Sequence, residues 1–437
     1  MNAILSVIIF VAVYVGIVSE KINKTVLAVL GGSLVIMLHL VSFEEAMRAI
    51  DLNVIFLLVG MMTCVHILSK TGFFEWVAIS VAKFAKGQPI FIMTLLLIVT
   101  AVLSAFFDNV TTIILLVPLT ILICELLEIN PVPFVILETL ASNIGGTATL
   151  IGDPPNIIIG SQAKLSFNDF LFNLGPVIII IMAVFLTTVF FVFRKKFCVD
   201  ISIRERVIKA VPRLAIVDRP NMIKALMILG LIFAGFFLHT VLDVEPGIIA
   251  LCGSMLMMLF CRSDSDDTLM KVEWGVIFFF IGMFIMIAAL EANGIIAWAG
   301  NSILSISDDN LFIICLIVLC GSAVFSAVLD NIPFVITMVP LVKSFIAHFA
   351  AASGVTDAAY IQAHIAQPLW WALALGACLG GNGTLIGASA NVVMARISQK
   401  NKHPVSFGVF LKYGIPVTVQ TLVISAVYIW LRYFYGD

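Results

Sequence analysis

The sequence predicts an all-α polytopic membrane protein made of two inverted repeats, and its composition and an internal duplication are the grounds. Of its 437 residues, 62% are hydrophobic and 11% are charged, which is too apolar for a water-soluble core. The segment DNVTTIILLVPL at Asp108 returns as DNIPFVITMVPL at Asp330, and eight of sixteen positions are identical between Ser104 and Leu119 and their counterparts. The chain is therefore predicted to be a tandem duplication.

Each half contains five apolar runs that are long enough to cross about 30 Å of hydrocarbon. In the first half these runs lie near 3–18, 25–43, 53–70, 133–159 and 172–193. In the second half they lie near 221–241, 246–261, 274–292, 366–395 and 411–431. Each repeat is accordingly expected to contribute five transmembrane helices.

One further apolar run in each half, 90–127 and 311–348, is interrupted near its middle by Asp-Asn. Polar backbone at membrane depth is tolerated only where protein or a water-filled cavity surrounds it. Each run is therefore predicted as one re-entrant hairpin rather than two full spans. An odd number of spans per repeat inverts the second repeat, so the two acidic tips are expected to meet near the midplane.

The distribution of positive charge predicts the topology. Residues 194–224 carry nine Lys and Arg residues, and placing them in the cytoplasm puts twenty of the 24 basic residues inside and four outside. The prediction is repeat 1 at 1–197, a cytoplasmic linker at 198–220 and repeat 2 at 221–437, in the inner (plasma) membrane with both termini outside. Residues 73–86 are predicted as an interfacial helix, and 350–365 as an outer loop.

The remaining composition indicates few partners beyond the lipid bilayer. A net charge of −2 gives no sign of nucleic-acid binding. The eight cysteines are scattered without ligand spacing and are interpreted as free thiols, so no cofactor and no cysteine metal site is predicted.

The two hairpin tips, Asp108-Asn109 and Asp330-Asn331, are the first candidate site. An Asp at a helix start can act as an N-cap, but capping does not require a charge inside the membrane. An intramembrane carboxylate costs several kcal/mol unless it is partnered, so it indicates function. The hydroxyls of Thr111 and Thr112 follow the first tip and are further candidates.

Glycines and prolines inside 133–159 and 366–395 predict that these two spans are broken helices at the midplane. Unwound carbonyls coordinate cations, and half-helix N-termini favour anions or oxyacids. Glycines for close helix packing are the alternative explanation. The candidate ligands are Asn143, Gly145, Gly146, Thr147, Thr149, Asp153 and Asn156 in the first half, and Gly381, Asn382, Thr384 and Asn391 in the second.

Roles within this set differ. Asp108, Asp153 and Asp330 are the candidates for proton coupling, and the first two are favoured because Asp153 has no acidic counterpart in the second half. A sodium ion could instead be bound by Asp108, Asn109 and Gly145. His66, Glu138 and Glu291 lie in or near spans and are weaker candidates, because such residues more often have a structural role or end a span.

With these motifs, the sequence resembles the ion transporter superfamily, in which two re-entrant hairpins face two broken helices. The combination of FDNVTT and GGTATLIGDPPN is most similar to the branch of arsenite permeases, sodium/proton antiporters and P protein. The family's hairpin Ser is Asp108 and Asp330 here, and its Thr is Val110 and Ile332. Two added carboxylates would repel a dicarboxylate.

The resemblance implies a secondary transporter, and not an enzyme, that works by elevator-type alternating access. Proton-coupled efflux of arsenite or antimonite is the function it favours. A sodium/proton antiporter is the alternative, and an anion or carboxylate transporter or channel is a further one. An intramembrane aspartyl protease would have no use for duplicated broken helices. The expected partners are a small inorganic solute, H⁺ or Na⁺, a second copy in a homodimer, and a soluble ATPase if the solute is arsenite.

Overall fold

The computed structural model describes residues 2–19, 21–197, 199–304 and 310–435. Within these ranges the chain is helical and contains no strand, which confirms the predicted all-α class. Nine of the described helices are long and apolar enough to cross a membrane. Cys198, at the predicted repeat boundary, lies outside the described residues.

The first half comprises ten helices. They are α1 (Asn2–Val18), α2 (Lys24–Met37), α3 (Phe43–Ala49), α4 (Leu52–Ser69), α5 (Phe73–Phe84), α6 (Pro89–Phe106), α7 (Asn109–Leu126), α8 (Val132–Gly146), α9 (Pro154–Ala163) and α10 (Phe167–Phe193). The run predicted at 133–159 thus forms two helices, α8 and α9, with non-helical chain between them.

A short segment, α11 (Ile201–Ile208), precedes the second half, which repeats the order of the first. Its helices are α12 (Arg219–Leu242), α13 (Pro246–Cys261), α14 (Ser265–Met270), α15 (Trp274–Ala292), α16 (Ile295–Leu304), α17 (Leu311–Val328), α18 (Asn331–Ser353), α19 (Ala358–Tyr360), α20 (Gln367–Gly380), α21 (Ser389–Lys400) and α22 (Phe407–Tyr433). The run at 366–395 is again two helices, α20 and α21.

Polar residues at the helix starts set several of these boundaries. Ser42 before α3 and Ser166 before α10 each form a capping box with an acidic residue three positions on. Pro154 occupies the first turn of α9, where its missing N–H costs nothing. Local sequence therefore explains why the apolar runs are divided at these points.

Helices α1, α2 and α15 pack together, and so do α4, α12 and α13; these two three-helix bundles are here called the span unit. Both bundles contain helices from both halves of the chain, since α4 packs on α13 and α15 packs on α2. A Cβ at Gly60 of α4 would collide with the backbone of Ala250, and one at Gly282 of α15 would collide with the backbone of Ala28. Glycine at these two matched positions lets the helix backbones touch.

The remaining long helices, α6–α10, α17, α18 and α20–α22, form a second group, here called the hairpin unit. In it α6 packs on α8, and α17 packs on α20 in the same way. A Cβ at Gly145 of α8 would collide with the backbone of Ala101, and Gly380 of α20 stands in the same relation to Ala323. The matched glycines hold each broken helix against the first arm of its hairpin.

Two predicted connecting segments can now be compared with the structure. Residues 73–86 do contain a helix, α5, although its depth in a membrane stays a prediction. The outer loop predicted at 350–365 is wrong in large part, because α18 continues to Ser353 and residues 358–366 are helical again. The loop was predicted because this stretch has no counterpart in the first half, but it is rich in alanine, which favours helix.

Candidate functional site

The two Asp-Asn tips lie at the junctions of paired helices. Asp108 separates α6 from α7 and caps α7, since its Oδ1 accepts a hydrogen bond of 3.0 Å from the Thr111 N–H. Asp330 precedes α18 at the matched position and makes no such cap bond. Both carboxylates line one cavity of about 460 Å³, so the structure brings the two tips to a shared space.

Asp330 is neutralised by a lysine from the span unit. Lys24 Nζ donates to Asp330 Oδ2 at 2.5 Å and to Ser389 Oγ at 3.0 Å, and Ser389 Oγ donates to the same Asp330 oxygen at 2.8 Å. Sequence reasoning assigned Lys24 to a cytoplasmic loop and did not include it in the site. Its position directly before an apolar run was the only signal available.

Asp108 has a different electrostatic setting. Among the described residues no basic side chain forms an ion pair with it, although it lines the same cavity as Lys24. Glu273, before α15, also lines this cavity and was likewise missed. The cavity reaches the protein surface at the exposed residues Lys21 and Arg396. It therefore contains an unpaired carboxylate that solvent ions can approach from one end.

Asp153, the third candidate for coupling, is 2% exposed and does not line the cavity. Its carboxylate lies at the start of α9, where Asn331 Nδ2 is 3.4 Å from Oδ1 and 3.5 Å from Oδ2. Asn109 faces the carboxylate from the first tip. Asp153 is therefore placed between the two Asp-Asn tips, and amides rather than cations surround it.

The non-helical segments of both broken helices are held by one asparagine each. Asn156 Nδ2 donates to the carbonyls of Thr149 at 2.9 Å and Thr147 at 3.1 Å. Asn391 Nδ2 donates to the carbonyls of Thr384 at 2.9 Å and Gly381 at 2.8 Å. Carbonyls that helix geometry leaves unpaired are thus satisfied by a side chain, so these two predicted ligands support the backbone of the site.

Asn143 connects the two broken helices. Its Nδ2 donates to Asn382 Oδ1 at 2.8 Å and to Asn391 Oδ1 at 3.0 Å. At the position matched to Asn143 the second half has Cys378, whose thiol lies 3.5 Å from Asn156 Oδ1. All of these side chains are buried. Each half thereby contacts the bracing asparagine of the other.

Most of the predicted threonines donate hydrogen bonds from their hydroxyls to backbone carbonyls. Thr147 donates to the Asn143 carbonyl at 2.8 Å, Thr149 donates to that of Ala105, and Thr384 donates to that of Ala327. Thr111 contributes its N–H to the Asp108 cap, and the Thr112 hydroxyl is buried without a partner among the described residues. These threonines shape the tips more than they face the cavity.

Backbone oxygens converge around two glycines beside the first tip. A Cβ at Gly152 would lie 2.5 Å from the Gly146 carbonyl oxygen and 2.6 Å from that of Ser104, and Asn109 Oδ1 approaches Gly146. Gly145, predicted to contribute to a sodium site, instead has its carbonyl oxygen bound by the Ala148 N–H at 3.0 Å. The sodium site predicted at Asp108, Asn109 and Gly145 stays a prediction.

At the end of the molecule away from Lys21, the two units are joined by polar contacts. Gln162 of α9 donates to Asp51 Oδ2 at 2.8 Å and accepts from Lys343 Nζ at 3.0 Å. Asn53 of α4 donates to Ser161 at 3.3 Å. Asp51 is matched to Glu273 by the repeat, so one of these two positions is engaged between the units while the other lines the cavity.

Comparison with known proteins places this architecture among membrane transporters. Residues 14–376 match the family model described as CitMHS, citrate transporter. The chain is 40% identical over 435 residues to a 46 kDa membrane protein of Mycobacterium leprae and 40% identical over 440 residues to an uncharacterized transporter of Mycobacterium tuberculosis, with 99% of each chain covered. It is 30% identical to the P protein of Sus scrofa over 507 residues, which cover 97% of this chain and 59% of P protein. The chain therefore belongs to the citrate transporter family of the ion transporter superfamily, a group of multi-pass membrane transport proteins.

Proposed function

We propose that this protein is a secondary active transporter that exports arsenite or antimonite in exchange for protons. The observation that carries the proposal is the contrast between the two tips. Asp330 is neutralised by Lys24, whereas Asp108 lines the same cavity without an ion-pair partner among the described residues. A carboxylate in that setting can alternate between a protonated and an ionised state as the cavity changes.

The solute is inferred from the branch and from the charge of the cavity. Asp108, Glu273 and Asp330 line it together with Lys21, Lys24 and Arg396, and among the described residues only Asp330 of the three carboxylates has an ion-pair partner. A citrate-like anion would meet repulsion from the carboxylates of Asp108 and Glu273, whereas arsenous acid is uncharged near neutral pH and needs only hydroxyl and amide partners. The citrate named in the family description is therefore not the solute we expect here.

The division into two units supports an elevator-type movement of the hairpin unit along the span unit. The cavity reaches the surface at Lys21 and Arg396, while at the opposite end Gln162 joins Asp51 to Lys343. With the basic end in the cytoplasm, this arrangement corresponds to an inward-facing state. A homodimer and a soluble ATPase partner stay predictions of the resemblance.

Sodium/proton exchange is a second candidate, and the oxygens around Gly146 and Gly152 favour it. The carbonyls of Gly146 and Ser104 together with Asn109 Oδ1 are oxygen ligands of the kind that sodium uses in broken-helix transporters. Asp108, next to Asn109, would then carry the exchanged proton.

Solute-driven currents on proteoliposomes test the proposal. The full chain, reconstituted with a pH dye inside, is challenged separately with arsenite, sodium, chloride, succinate and citrate on a solid-supported membrane. We expect a proton signal with arsenite that Asp108→Asn abolishes. Asn is a good N-cap, so the start of α7 is retained in this variant.

Asp264→Asn is the matched control, because Asp264 caps the short helix α14 at an exposed position outside the cavity. A proton signal with sodium alone would replace arsenite transport by sodium/proton exchange. A current with an anion and no proton movement would refute coupling altogether.

A further inference from the structure

A second carboxylate is buried in the hairpin unit, away from the cavity. Glu138 lies in the second turn of α8 and is 1% exposed. Thr100 of α6 donates to its Oε1 at 3.0 Å. Cys124 of α7 is the titratable side chain that faces it, and no basic group of the described chain offsets its charge. An ionised carboxylate in this place would be uncompensated at a cost of several kcal/mol.

The other oxygen of Glu138 lies beside a hydroxyl that can serve either protonation state. Glu138 Oε2 is buried without a hydrogen bond, and so is the hydroxyl of Thr120 on α7, which lies close to the carboxyl group. A protonated Oε2 can donate to Thr120 Oγ1, and an ionised Oε2 can accept from the same hydroxyl. Burial without a basic group among the described residues favours the neutral acid, which accepts from Thr100 and donates to Thr120.

A polar ladder extends from Glu138 toward the first tip. Ser142 follows Glu138 by one turn of α8, and Ser104 follows Thr100 by one turn of α6, so the two pairs form successive rungs. Ser142 Oγ donates to Ser104 Oγ at 3.0 Å, and Ser104 Oγ donates to Asn109 Oδ1 at 2.5 Å. The ladder thus ends on the residue next to Asp108.

The second half lacks this arrangement at the matched positions. Leu373 stands for Glu138, Val342 for Thr120 and Ala377 for Ser142. Ser326, the counterpart of Ser104, donates to the Ala377 carbonyl instead. Glu138, Thr120 and Ser142 are therefore all replaced by apolar residues, although the surrounding helices pack alike in both halves. Helix packing alone does not account for a buried acid in only one of them.

We propose that Glu138 is a second proton-binding group of the transport cycle, which carries its proton within the hairpin unit. This inference rests on the proposed proton coupling. The carboxylate takes up one proton at Oε2 and releases the same proton later, so no other bond is formed or broken. The Ser142–Ser104 pair lies one helical turn from Glu138 and is bonded to Asn109, so this group is placed next to the polar residues that hold the tip bearing Asp108.

Infrared spectroscopy of the reconstituted full chain tests the proton site without any solute. We expect a C=O stretching band of a protonated buried carboxyl that shifts in D₂O, titrates with bulk pH in the range where transport occurs, and is absent in Glu138→Gln. Gln retains the shape and both hydrogen-bond partners, and Glu138→Asp should retain the band at a shifted frequency. Ser322→Ala, at the counterpart of Thr100, is the matched buried control and should leave the spectrum unchanged.

The pH profile of transport separates a proton-binding role from a structural one. In Glu138→Gln we expect solute-driven proton flux to fall at least about tenfold and one titration to disappear from the pH profile of that flux. The control Glu125→Gln, at an exposed position of α7, should retain the wild-type flux and the wild-type pH profile. A band that does not titrate, or unchanged flux and profile in Glu138→Gln beside an active wild type, would overturn the inference and leave the proposed function standing. A titrating band in a wild type that moves no protons with any solute would refute the proposed function and support the proton site.

Discussion

Lys24 Nζ lies 2.5 Å from Asp330 Oδ2 across 306 residues of sequence, and this ion pair joins the span unit to the tip of the hairpin unit. The Asp330 side chain is 11% exposed and that of Lys24 is 34% exposed, so the pair is only partly screened by solvent. Movement of one unit against the other must break it. The pair therefore favours the conformation in which the cavity reaches Lys21 and Arg396.

Removing the lysine should destabilise the protein through the carboxylate that it leaves behind. We expect Lys24→Met to lower the free energy of unfolding by about 1–3 kcal/mol. Asp330→Asn in the same chain should restore most of that loss, because the buried charge is then gone. Thermal unfolding of the purified single and double variants measures the coupling, and additive effects of the two changes would contradict it.

Among the buried asparagines of the broken helices, Asn143 is expected to be the one whose substitution destabilises the protein most. Asn143→Ala removes the donor to Asn382 and Asn391 and leaves two buried oxygens short of a partner, a cost of about 2–3 kcal/mol. Asn143→Cys introduces the residue found at the matched position, Cys378. It should destabilise the protein less than Asn143→Ala, because a thiol still donates a weak hydrogen bond and alanine has no donor. Unfolding temperatures that fall equally in both variants would show that the thiol does not replace the amide donor.

Gly145 should not tolerate a side chain. Gly145→Ala would collide with the backbone of Ala101 and is expected to destabilise the protein by about 1–3 kcal/mol. Gly230→Ala on α12 is the control, since a Cβ there meets no atom within 4 Å. In a helix interior alanine is favoured over glycine by about 0.8–1.0 kcal/mol, so the control should be neutral or stabilising. A harmless Gly145→Ala would disprove the close approach of α6 and α8.

The ion pair between Lys70 and Asp267 should give the stability an acid-dependent component. The hydrogen bond and charge of Lys70 lower the pKa of Asp267, which lies on α14 outside the spans. A depressed folded-state pKa contributes stability that is present above the unfolded value of about 3.9 and is lost as the pH falls through the folded value. The unfolding temperatures of wild type and Lys70→Met should therefore differ at neutral pH and converge in acid. A difference that persists in acid would argue against the ion pair.

The helical framework was predictable because span length and helix breaking depend on local sequence. Apolar runs predicted a multi-pass helical protein, and the Gly and Pro residues between Gly146 and Pro154 accompany the observed gap between α8 and α9. Repetition of Asp-Asn directed attention to Asp108 and Asp330, which do share a cavity. These features are each contained in a few consecutive residues.

The partners of the site residues were not predictable in the same way. Lys24 resembles any basic residue at a membrane edge until the fold brings it to Asp330. The sequence favoured a structural role for Glu138, and only the fold shows that its Oε2 is buried beside Thr120 without a hydrogen bond. Charge pairing and desolvation depend on contacts between distant segments, and one sequence does not record them.

The contacts of Gly60 with Ala250 and of Gly282 with Ala28 bear on the history of the chain. Each joins a helix of one half to a helix of the other, so a protein of half this length would leave both surfaces bare. If the chain arose by the duplication that its sequence predicts, the ancestral polypeptide would have needed a second copy of itself to complete the span unit. Fusion would then have replaced an encounter between molecules by a high effective concentration within one, and Asp153, Lys24 and Glu138 would have been free to appear in a single half.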